Sequence, residues 1–148
     1  MGSMRMMDLL KKGEAFHEQL AAYYERLSHE VDREEVRIIL EYVSRHETYL
    51  GHCFEDYEKH APKAVAEHWF KWIPDTRFSA LMEAEAIPHD AEVDDVIRMA
   101  RRFDDCLIQL YQELVEMSPP GQLRDALGKL LEMEQQQEKL MVRNLQHW

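Results

Sequence analysis

The segment Ala100–Leu114 reads ARRFDDCLIQLYQEL. Ala100, Leu107, Tyr111 and Leu114 recur at three- and four-residue steps, and Val93 and Ile97 extend the line upstream. That is the period of a helix with one apolar face. Asp104 sits in the middle of the line. An acid on a face meant for the core is costly unless it is paired, neutralised or bound to a cation, so this position asks for an explanation.

Three other segments share the pattern. The first carries Leu10, Gly13, His17, Leu20, Tyr24 and Leu27; the second Val36, Leu40, Val43, Glu47, Leu50, Phe54 and Tyr57; the last Leu123, Leu127, Leu130, Glu134, Gln137, Met141 and Leu145. The expected helices cover about residues 7–28, 33–59, 91–117 and 122–146. Asp32 is a cap candidate for the second helix, with Glu34 and Glu35 as first-turn acids. Pro119 and Pro120 end the third. Short connections make helices one and two, and helices three and four, antiparallel hairpins. A long crossover, about residues 60–90, joins the hairpins and holds Pro62, Pro74 and Pro88, with a short helix expected near Ala64–Trp72. The expected architecture is all-α, a four-helix bundle of two hairpins in a single domain spanning 1–148.

The two hairpins align without a gap at an offset of 87 positions. Phe16 falls on Phe103, His17 on Asp104, Leu20 on Leu107, Tyr24 on Tyr111, Leu40 on Leu127 and Glu47 on Glu134. A shared helical period aligns the apolar residues of any two helices, but it does not match their polar interruptions. The chain therefore reads as a duplicated hairpin with its polar residues directed at a common centre.

Composition excludes several functions. Among 148 residues, 18 Lys and Arg face 29 Asp and Glu, a formal charge of −11. That leaves no basic excess to replace nucleic-acid counterions, so no nucleic-acid partner is expected. No apolar run reaches the ~18 residues of a membrane span, and no membrane association is expected. The start, Met1-Gly2-Ser3, reads as a cloning remnant, not a leader. Two cysteines without a C-x-x-C spacing suit a reducing, cytoplasmic setting.

The stretches ARRFDDCLIQLYQEL and Leu131–Glu138 (LEMEQQQE) resemble the third and fourth helices of the ferritin-like superfamily, above all its rubrerythrin-like branch. There an acid is followed by a tyrosine seven residues later, and the next helix carries Glu-x-x-His. The first hairpin is similar, in His17 with Tyr24 and in Glu47 with Leu50. The resemblance implies a ferritin-like bundle with a di-iron or other divalent-metal centre. Glu47 and Glu134 would then be bridging carboxylates, Asp104 a terminal acid, and His17 a replacement for the other acid. Both Glu-x-x-His histidines are missing: Leu50 offers no donor and Gln137 at best a weak carbonyl oxygen. Glu14, one turn before His17, is a candidate substitute. The expected metal set is thus His17, Glu47, Asp104, Glu134 and Gln137. The resemblance also implies a homodimer.

Two readings stand. One is a metal-binding protein with an altered, oxidoreductase-related centre holding iron or another divalent metal. The other is a metal-free interaction or regulatory module in which His17 is protonated and shares its charge with the acids. Whether the chain is an enzyme stays open. Other motifs fail on spacing: His46-Glu47 with His52 places its histidines six residues apart on diverging faces, unlike a zinc-protease helix. An oxygen-carrying histidine bundle needs several His-x-x-x-His or His-x-x-x-Glu pairs, whereas Ala21, Arg33, Leu50 and Ala64 stand four residues after His17, His29, His46 and His60. Tyr24 and Tyr111 are expected as core tyrosines bonding across the bundle, and Cys53 and Cys106 as buried apolar residues. Trp69, Phe70 and Trp72 are expected to cover the bundle's side, with a homodimer contact as the alternative.

Overall fold

The structure, a computed structural model, describes residues 3–74, 78–84 and 86–146. Four long helices dominate it: α1 (Met6–Ser28), α2 (Glu34–His60), α5 (Val93–Met117) and α6 (Gln122–Leu145). Between α2 and α5 come α3 (Lys63–Ala66), the strand β2 (Trp69–Phe70) and α4 (Phe78–Ala84); β1 (Met4–Arg5) precedes α1. Residues 75–77 and 85 of the expected crossover lie outside the described residues. The molecule is an all-α bundle. Its helices α1 and α2 pack as one hairpin, α5 and α6 as the other, and α2 meets α5 between them.

Local chemistry sets the helix ends. Arg5 N–H donates to the Asp8 carboxylate at 3.3 Å before α1, and Glu92 N–H donates to Asp95 at 2.8 Å before α5. Both place an acid against the positive end of a helix. Helix α2 begins with Glu34 and Glu35, and Arg37 ties Glu34 to Glu41 along its first turns. Asp32 does not cap α2; Arg33 occupies that position, and Asp32 instead accepts from His89 Nδ1 at 2.8 Å, fixing the first hairpin turn to the end of the crossover. Helix α5 closes at Ser118, whose hydroxyl donates to the Leu114 carbonyl before Pro119. Gly121, at φ 151°, turns the chain into α6 through backbone space that side chains disfavour.

The short helix expected over 64–72 stops at Ala66. Beyond it Phe70 pairs with Met4 and Trp69 with Arg5, antiparallel, and Met6 N–H donates to the His68 carbonyl at 2.8 Å. Strand alternation then turns neighbouring side chains to opposite faces. Phe70 is buried, while Trp69 is 59 % and Trp72 49 % exposed. Covering the bundle therefore falls to Val65, Phe70 and Ile73 and not to the tryptophans. Among the described residues no helix is long and apolar enough to cross a membrane.

Candidate functional site

One polar side chain from each long helix reaches the bundle centre. His17 comes from α1, Glu47 from α2, Asp104 from α5 and Glu134 from α6, and their exposures are 0, 1, 4 and 2 %. The other buried polar residues among those described are Ser28 and Ser118, and each hydroxyl donates to a carbonyl of its own helix. The four interruptions are thus the ionisable groups that the core, among the described residues, must accommodate.

The centre is organised by His17. Its Nδ1 meets Glu47 Oε2, and its Nε2 meets Glu134 Oε1 at 2.8 Å. An ionised carboxylate only accepts hydrogen bonds, so with both glutamates ionised the ring donates from both nitrogens as an imidazolium. Burial pushes His17 down, but the Glu134 and Glu47 charges outweigh it and hold the group well above its ordinary value. Asp104 moves the other way from most acids. Burial first, then repulsion from Glu47 and Glu134, raises it well above its ordinary value, against the pull of His17. Phe16 and Phe54 pack on the imidazole at ring-centroid distances of 5.6 and 5.3 Å, excluding water from its faces.

The remaining candidates lie elsewhere. Gln137 is half-buried and lines a surface groove with Gln136, Lys139, Leu140 and Arg143. Leu50 is buried one turn after Glu47 and supplies only carbon. Glu14 pairs with Glu58, which raises it above its ordinary value, and so takes no part as a substitute for His17. Tyr24 and Tyr111 are fully buried, yet the Tyr111 hydroxyl has no hydrogen-bond partner among the described residues. Cys53 and Cys106 are half-exposed, not buried.

Sequence reasoning passed over two residues that shape the centre. A Cβ on Gly13 would stand 2.5 Å from the Phe54 ring and 3.0 Å from the Tyr111 hydroxyl, so this glycine makes room for the wall beside His17. Its signal was present: a glycine on the apolar line of a helix, one turn before the histidine. Glu138, one turn after Glu134, is pushed up to about 7 by burial and by Asp105.

The donor set does not fit a di-iron pair. Among the described residues no three His, Cys, Asp or Glu side chains form a group ready to hold a metal ion. The physical reason is visible in the contacts. Glu47 and Glu134 both meet one imidazole ring, Leu50 offers no donor one turn after Glu47, and Gln137 lies in a surface groove.

The wider comparison concerns the fold. A crystal structure from Thermotoga maritima aligns over 99 % of this chain and 97 % of its own, with a TM-score of 0.60 and 16 % sequence identity. That protein carries the provisional description ferritin-like diiron-carboxylate protein. The fold is ferritin-like. No protein-family model and no curated protein sequence matches the chain. The ferritin-like likeness thus rests on the arrangement of helices, and at 16 % identity it carries the architecture alone.

Proposed function

We propose that this chain is a ferritin-like module that works without a metal, as an interaction or regulatory unit, its central acids being what remains of a carboxylate centre. The observation that carries the reading is the placement of His17 on both Glu47 and Glu134. An internal cation already neutralises the charge that a metal would otherwise have to balance. The test is metal analysis of protein grown with iron, manganese and zinc and purified without chelator or nickel resin. The expected content is far below one ion per chain, with ferrous oxidation no faster than in buffer. Stoichiometric iron with turnover would overturn the reading.

A second reading, a centre for iron or another divalent metal, draws on the three acids at one depth and on the description of the Thermotoga protein. It requires His17 to leave one acid and ligate through a single nitrogen, and Gln137 to turn inward from its groove. The same measurement separates the two. The exposed Trp69 and Trp72 support a homodimer, which light scattering tests, and the free cysteines suit a cytoplasmic setting.

A further inference from the structure

We propose that the groove between α1 and the second half of the crossover binds a short apolar peptide through both of its free ends. The inference rests on the interaction reading, for which it names a ligand class, and it uses none of the four central residues.

The groove measures about 770 Å³, and sites for small ligands span about 300–1,000 Å³. Its floor is Tyr23 and Leu27, both buried, and its far wall is Met82 of α4 with Ile87 beyond it, both half-buried. Tyr23 stands edge-on to Phe103 of α5 at 5.8 Å, which anchors the floor to the core. Three exposed charged side chains rim this apolar surface: Arg26, Glu30 and Glu83. The Arg26 guanidinium lies over the Tyr23 ring, 5.1 Å from its centroid, and among the described residues no carboxylate pairs with it. A planar fork held on an aromatic face is prepared to take a carboxylate by two parallel hydrogen bonds. Glu30 and Glu83 form no ion pair among the described residues either, and an ammonium group answers them. The charges then select the ligand. With two acids to one base, the rim repels polyphosphates and fatty acids, while a simple amine leaves Arg26 unanswered. A zwitterion with apolar side chains answers both kinds of rim group and covers Leu27, Met82 and Ile87. The volume suits a peptide of a few residues better than a single amino acid.

Three probes test it on the full chain, followed by amide NMR shifts and calorimetry: trileucine, trileucine amide and N-acetyl-trileucine. Trileucine should saturate with a Kd on the order of 100 μM. Its shifts should centre on residues 19–30 and on Met82, Glu83 and Ile87. The amide lacks the carboxylate and the acetylated peptide lacks the ammonium, so each should bind about tenfold more weakly. Arg26→Gln should weaken trileucine by a similar factor and leave trileucine amide, which has no carboxylate to lose, unchanged. The blocked peptides are read on the natural protein, so that comparison stands even if the variant fails to fold.

Absence of saturation at millimolar trileucine, or shifts centred away from the groove, overturns the inference. Equal binding of either blocked peptide overturns it too, because both ends are required. So does an Arg26→Gln variant that folds and binds trileucine as the natural protein does. None of these results alters the metal content of the purified chain, so the metal-free reading and this inference fail separately.

Discussion

A histidine with a carboxylate at each ring nitrogen is bound more tightly into a core than either acid would be alone. Burying a charge is expensive, and breaking a buried pair from one side typically costs about 3–5 kcal/mol because the other charge stays behind. His17 answers two acids at once, which leaves the centre little freedom to exchange partners. The four polar positions were legible in the sequence because each breaks an apolar line at a matching place. What bridges them was not, since ring and metal demand the same acids from the same helix faces. Tyr111 shows a similar limit. Its burial followed from the apolar line, but its expected bond across the bundle is absent among the described residues. A buried hydroxyl without a partner costs about 1–3 kcal/mol. Tyr111→Phe should therefore match or exceed the natural protein's stability, by up to about 1 kcal/mol, in urea unfolding. A loss of several kcal/mol would show that the hydroxyl has a partner after all.

The long helices were readable because their apolar period, flanking acids and following prolines all agree. The crossover was not. Trp69 and Phe70 form a strand only because Met4 and Arg5 lie beside them, a pairing between positions far apart in the chain. Local propensity carries no trace of such a partner. Helix glycines make the contrast between local and tertiary effects measurable. Around Gly128 nothing lies within 4 Å of an added Cβ, so Gly128→Ala should stabilise by up to about 1 kcal/mol through helix propensity. Gly13→Ala gains the same propensity but drives a methyl into Phe54, against the wall of the His17 site. Overpacking of a filled core costs about 1–3 kcal/mol, so this variant should be less stable than the natural protein. Thermal melts of the two variants side by side check both signs.

At the scale of the whole molecule, the folded chain keeps protons that the unfolded chain gives up. His17 and Asp104 both have folded values raised above their ordinary ones, 6.5 and 3.8. For such groups the stabilising contribution is complete below the unfolded value and is lost as pH climbs through the folded one. The Asp104 contribution therefore begins to decline above pH 3.8 and the His17 contribution above pH 6.5. Each retained proton lowers stability by up to about 1.4 kcal/mol per pH unit. The formal charge of −11 acts in the same direction, because proton loss at higher pH removes positive charge that offsets the repulsion among the acids. Salt distinguishes the two effects: it screens exposed charges but barely reaches a centre from which water is excluded. Melting temperature should consequently fall as pH rises above 6.5, and most of that slope should persist at high salt. A melting temperature that climbs with pH over this range would mean that the folded centre binds fewer protons than the unfolded chain, with His17 neutral and no acid holding its proton. A fall that vanishes in high salt would assign the slope to the surface and leave the bundle centre without a titrating group in this window.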